Sequence, residues 1–161
     1  MSRAFVKESD TATAALPERS VSVHPNLVTP EGLAAIEHEI DRLSVAHAEA
    51  VTAGDNAALA AVTRDLRYWT ARRTSAQVVS SSHPPRAEEG AVGATVQFGS
   101  TVTVRRDDGR EQTFRIVGED EAEPSKGTLS HVSPLARALF GKTVGDAAEV
   151  ARGAVEILKV E

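Results

Sequence analysis

Two hydrophobic seams of equal length, separated by a Gly-Asp pair, constrain this chain more than any other feature. Leu33, Ile36, Ile40, Leu43, His47 and Ala50 follow one another at steps of 3, 4, 3, 4 and 3 residues, and Leu59, Val62, Leu66, Trp69, Arg73 and Ala76 repeat those steps. Such spacing is the seam of a coiled coil. Thr29-Pro30-Glu31 supplies the start: threonine caps a helix, proline suits the first helical position, and an acid in the first turn complements the helix dipole. Gly54 stops the first helix, and Asp55 caps the second. Folding the chain about Gly54-Asp55 pairs Ala50 with Leu59, His47 with Val62, Leu43 with Leu66, Ile40 with Trp69, Ile36 with Arg73 and Leu33 with Ala76, and no seam residue is left over. Charge agrees with the pairing. Residues 30–53 hold Glu31, Glu37, Glu39, Asp41 and Glu49 against Arg42, whereas 56–79 hold Arg64, Arg67, Arg72 and Arg73 against Asp65. The expected object over 29–79 is one antiparallel coiled-coil hairpin, a rod of roughly 33 Å at 1.5 Å rise per residue. Two helices have no third wall, so the rod must be anchored on another body.

The flanking segments differ in character. Residues 1–28 contain Pro17 and Pro25 among small polar residues with no sustained period, and read as a mobile arm or a strap lying loosely on the rest. A linker is expected over 80–91, where Ser80-Ser81-Ser82 and Pro84-Pro85 forbid continuing the helix. Beyond it, 92–161 alternates short β-rich runs with turns: Thr95–Phe98, Thr101–Val104, the hairpin signal Arg106-Asp107-Asp108-Gly109, Thr113–Val117, Leu129–Val132, and closing strands Ala148–Ala151 and Val155–Val160. Ser133-Pro134 opens a short helix that Gly141 stops. The fold class is α+β: a helical hairpin, then a small antiparallel β domain with one short helix over a curved sheet.

Composition narrows the chemistry. The 161 residues carry a formal charge of -5, which argues against a reader of bare duplex nucleic acid. Having no cysteine excludes disulfides, thiolate nucleophiles and Cys-type zinc sites, and five histidines without HxxxH spacing make a poor metal cage. No apolar run approaches the ~20 residues that span a bilayer, and no apolar stretch follows Met1-Ser2-Arg3, so a cytoplasmic protein is expected. Aromatic residues are 4% of the chain, too few for an aromatic-lined ligand pocket. Nucleophile-elbow and phosphate-loop motifs are absent, so the chain is not read as an enzyme.

The candidates for function are therefore few. Asp55, at the rod's tip, is either a helix cap or a carboxylate presented to a Mg²⁺ held mainly by another protein. Arg64, Arg67 and Arg72 form a basic flank that either pairs with the acidic first helix or touches a nucleic-acid backbone inside a larger complex; Arg73 in the seam snorkels beside Ile36. The acid run Glu119-Asp120-Glu121-Ala122-Glu123 lacks calcium-loop spacing and reads as a solvated turn that meets a basic partner. The Ser133–Gly141 helix can bury Leu135, Leu139 and Phe140 on one face.

These residues resemble a known family. Phe98-Gly99-Ser-Thr-Val-Thr-Val104, Thr113-Phe-Arg-Ile-Val-Gly-Glu-Asp-Glu-Ala122 and Ser133-Pro-Leu-Ala-Arg-Ala-Leu-Phe-Gly-Lys142 with Gly145-Asp146 look like the C-terminal domain of the Gre-type transcription elongation factors, and Thr29-Pro-Glu-Gly-Leu33 and Ser75-Ala-Gln-Val-Val79 resemble the ends of that family's coiled coil. The resemblance implies an FKBP-like C-terminal domain that docks at the rim of the secondary channel of bacterial RNA polymerase, with the coiled coil entering the channel and nucleic acid met only within the elongation complex. The intrachain seam register and the short Gly-Asp turn argue against a free-standing coiled-coil oligomerisation module, so a monomer is expected, and with no spanning apolar run no membrane contact is expected. Asp120, Glu121, Ser133, Pro134, Leu135 and Arg137 would bind the polymerase, and acids at the tip would share a second Mg²⁺ with its active site, a two-metal strategy. Of the family's tip, Gly-Asp followed shortly by Glu-Asn, only Gly54-Asp55 is matched, and the span from Thr29 to Val79 is several turns shorter. The expected function is modulation of elongation or backtracking from within the channel. Alternatives are a channel-occupying competitor, a relative of the regulators of nucleoside diphosphate kinase, or, on fold alone, a prolyl isomerase.

Overall fold

The structure, a computed structural model, describes residues 16–80 and 93–161. Most of the expected linker and the first fifteen residues of the expected arm lie outside the described residues.

The hairpin forms as its seams dictate. Strand β1 (Leu27–Val28) leads into α1 (Pro30–Ala53), which turns at Gly54 into α2 (Asn56–Ser75) and returns to β2 (Gln77–Val78). Thr29 caps α1, its hydroxyl accepting the Gly32 amide at 3.0 Å. Gly54 ends the helix at φ 65°, the left-handed conformation in which a side chain is strained. Ile36, Leu43 and Ala50, every seventh residue of α1, are buried against α2. At the open end, Glu37 and Arg73 bridge the helices at 2.9 Å. Arg73 is thus exposed and paired, one residue along from its seam partner Ile36.

Strands β1 and β2 pair in parallel, Leu27 with Gln77 and Val28 with Val78, and so stitch together the chain that enters the hairpin and the chain that leaves it. This corrects the loose arm at its end. Asn26 is buried, donates from Nδ2 to the Arg72 carbonyl at 2.7 Å, and accepts the Gln77 amide through its own carbonyl at 2.8 Å. Val28 is 1% exposed.

The C-terminal part is a five-stranded sheet in the order β5-β4-β3-β7-β6, built from β3 (Thr101–Arg106), β4 (Glu111–Val117), β5 (Thr128–Ser130), β6 (Ala147–Val150) and β7 (Gly153–Val160). Alternation puts Val102 and Val104 of β3 and Val155 and Ile157 of β7 on one face, where α3 (Pro134–Leu139) lays Ala136 and Leu139 over them. Leu135 and Phe140 pack partly buried at the edge of this core, so the helix buries Ala136 in place of Leu135. Two strand expectations change. Thr95–Phe98 is not a strand; Val96 exchanges backbone bonds with Gly141 and Lys142 instead, and fills the core. The sheet is not wholly antiparallel, because β5 runs parallel to β4 after a crossover through 118–127.

That parallel pairing positions the site. The loops after β4 and β5 leave the sheet at the same end, so Gly118–Glu121 and the Ser130–Ser133 turn that caps α3 sit side by side, with the His131 amide bonded to the Val117 carbonyl at 2.9 Å. The base of the hairpin seats on this end.

Candidate functional site

At the tip, Asp55 has φ -84° and ψ 92°, and one carboxylate oxygen accepts the Ala58 amide at 3.0 Å. The side chain is exposed, so cap and presented carboxylate are the same group. Around it the sequence offers Gly54, Asn56, Ala57 and Ala58, and Glu49 stands more than a turn back along α1. Among the described residues, no three of His, Cys, Asp and Glu form a group that could hold a metal ion. Mg²⁺ demands a near-octahedral set of oxygens. The donor set of this tip does not fit a resident Mg²⁺.

The tip is also nearly bare of charge. From Ser44 to Thr63 the only acids are Glu49 and Asp55, and there is no Lys or Arg. Alanine, valine and threonine fill most of the positions between, with Ser44, His47, Gly54, Asn56 and Leu59 the others, which makes the distal half of the rod thin and weakly charged, and Val45 and Val51 are exposed.

At the base, the acid run turns inward. Arg72, the one buried residue of α2, is 1% exposed, and its Nε donates to Asp120 at 2.5 Å, while its Nη2 lies 3.8 Å from Glu119. Asp120 also accepts the Tyr68 hydroxyl at 2.6 Å. Burial, reinforced by this bond to Asp120, pushes the Tyr68 phenol up to about 12 and keeps it a donor. Glu121 accepts from the Thr29 amide at 3.0 Å, from the Thr29 hydroxyl, and from the Gly118 amide at 3.1 Å. Two consecutive acids therefore hold the two helices, Asp120 gripping α2 and Glu121 gripping the start of α1. Arg72 differs here from its expected place on a nucleic-acid backbone: its guanidinium is enclosed and spent on Asp120. Asp120 and Glu121 likewise differ from a solvated docking turn, because their oxygens are committed within the chain.

The remaining expected residues lie at the surface or near it. Ser133 caps α3 by accepting the Ala136 amide at 3.2 Å, Pro134 and Arg137 are exposed, and Leu135 is half-buried. Arg64 pairs with Asp65 at 3.1 Å, and Arg67 pairs with Glu18. Sequence reasoning missed Tyr68, the hub between Asp120 and the N-terminal segment; its signal was an aromatic four residues before a helix-end arginine. Phe98 is buried edge-to-face against His131 at 5.5 Å, and Phe114 and Phe140 pack on the core, so these aromatics are structural.

Comparison with known proteins places the chain in a family. Residues 91–161 match the family model described as transcription elongation factor, GreA/GreB, C-terminal. The transcription elongation factor GreA of Rhodospirillum rubrum is 38% identical over 135 residues, which is 76% of this chain and 86% of that protein. GreA of Hyphomonas neptunium is 52% identical over 73 residues, 42% of this chain and 46% of that protein. GreB of Neisseria meningitidis is 38% identical over 104 residues, 62% of this chain and 60% of that protein. Among solved structures, the GreA factor homolog 1 of Thermus thermophilus covers 86% of this chain and 99% of its own at 17% identity, with a TM-score of 0.38, too low to bear on how the two parts are arranged. With a GreA matched along most of both chains, this chain belongs to the GreA/GreB family of transcription elongation factors.

Proposed function

We propose that the protein binds bacterial RNA polymerase as a cytoplasmic monomer, seats its C-terminal part at the rim of the secondary channel, and inserts the hairpin to modulate elongation without strongly stimulating transcript cleavage. It is an accessory factor and not itself an enzyme. The observation that carries this reading is the tip: one carboxylate, already capping α2, at the end of a slender rod whose distal half carries only one other acid, Glu49, and no Lys or Arg. A thin, weakly charged rod suits a protein-lined channel, and a lone Asp55 suits occupancy better than recruitment of a metal. Pro134, Leu135 and Arg137, which remain accessible beside the hairpin base, are the residues offered to the rim. Arg64 and Arg67 are the cations left on α2 for a nucleic-acid backbone inside the complex.

Backtracked elongation complexes provide the test. Added protein should protect the secondary channel from cross-linking and slow the cleavage stimulated by a cleavage-competent factor, with or without Asp55→Ala. Robust RNA cleavage that depends on Asp55 would overturn the reading.

A further inference from the structure

The N-terminal segment does not merely pass the hairpin; it occupies a formed surface on α2. Arg64, Arg67 and Tyr68 are neighbours there at helical spacing, and Tyr68 meets Trp69 edge-to-face with ring centroids 5.1 Å apart. Arg19 lays its guanidinium over the Tyr68 ring, 3.8 Å from the centroid and 5.6 Å from that of Trp69, with Nη1 3.6 Å from Asp65. The preceding residue, Glu18, pairs with Arg67. An acid on an arginine and a planar cation on an adjacent aromatic face reproduce, in two consecutive residues, the contacts of one nucleotide: phosphate on guanidinium, base on ring.

We propose that residues 16–25 are a built-in competitor, filling in cis the places where single-stranded nucleic acid would set a phosphate on Arg67 and a base on Tyr68. The proposal deepens, and rests on, the reading of α2 as the nucleic-acid side of the hairpin. Its energetics suit a cover that leaves. Glu18 and Arg67 are 59% and 64% exposed, and Val23, between the contact and the anchor, is 95% exposed. A surface ion pair and a cation–π contact are each weak. The segment nevertheless persists because Asn26 and the β1–β2 ladder hold its far end a few residues away, which makes the contact intramolecular. The acids near the face are themselves engaged: Asp65 pairs with Arg64, Glu39, which also feels Arg19, pairs with Arg42, and Asp120 holds the Tyr68 hydroxyl and Arg72.

The test uses the full chain and the double substitution Glu18→Ala/Arg19→Ala, with short fluorescein-labelled single-stranded RNA, and DNA of the same sequence, as probes in anisotropy titrations at low salt. Removing both contacts should tighten binding about tenfold, the factor that two such weak contacts amount to. Adding Arg67→Ala should abolish the gain. A gain with both probes identifies phosphate and base as the shared chemistry, and a gain with RNA alone assigns the surface to RNA. Trp69 is the sole tryptophan, so its emission and its quenching by acrylamide report the cover directly and should change in the double variant. Equal affinity of variant and parent, a gain that survives Arg67→Ala, or unchanged Trp69 quenching would each overturn the proposal. No polymerase is present, so its failure is distinguishable from failure of the channel reading.

Discussion

Glu121, in the loop after β4, closes over Gly32 in the first turn of α1, and its carboxylate fills the space where a Cβ at Gly32 would be built. The glycine in Thr29-Pro30-Glu31-Gly32 is thus a contact requirement between the two parts of the chain. Alanine normally favours a helix over glycine. Here Gly32→Ala must push Glu121 away from Thr29 and Gly118, losing charge-assisted hydrogen bonds, and the net result should be a destabilisation of about 1 kcal/mol. In a Glu121→Ala background the sign should reverse. A double-mutant cycle by urea denaturation, read at Trp69, checks this.

Arg72 and Asp120 form the enclosed ion pair of the joint. Removing one partner, by Arg72→Met or Asp120→Ala, leaves a buried charge and should cost about 3 kcal/mol, whereas the two substitutions together should cost less than the sum. Chemical denaturation of the four proteins gives the coupling.

Tyr68 is the sole tyrosine, so alkaline titration of phenolate absorbance observes it alone. Its folded value lies above the unfolded one, so its stabilising share is fully present below the ordinary phenol value near 10 and is lost as pH rises through about 12. In Asp120→Asn the midpoint should fall toward the ordinary value, because an acceptor carboxylate that repels phenolate has gone.

Asp55→Ala removes the bond to the Ala58 amide and should destabilise the hairpin by about 1 kcal/mol, while Asp55→Ser keeps the cap and should cost little. Gly54→Ala should cost about 1 kcal/mol by forcing a side chain into left-handed backbone. Thermal melts followed at Trp69 separate the three.

The hairpin was legible because its determinants are local: the seam steps, the Thr29 cap, and the Gly54-Asp55 turn all act within one or two helical turns. The joint was not. Seam arithmetic puts Arg73 inside and Arg72 outside, which holds as long as α2 packs only on α1. Near its end α2 faces the loop after β4 instead, so the buried arginine moves by one residue. The acid run has the composition of a solvated turn, and nothing within 119–123 shows that Arg72 and Thr29, some fifty and ninety residues earlier, will satisfy it. The parallel β5 was hidden for a similar reason: a three-residue strand after a long crossover lacks the hairpin signals that announce antiparallel pairing.

Because β1 and β2 clasp each other at the foot of the rod, the two ends of the hairpin leave the body of the protein as neighbours. The rod is therefore a cassette. Deleting or adding one heptad in each helix would preserve the seam pairing, the turn and the joint, and would change the reach by about 10 Å. Reach can vary in such a protein while its docking end stays as it is, so rod length becomes a dial separate from the fold that carries it.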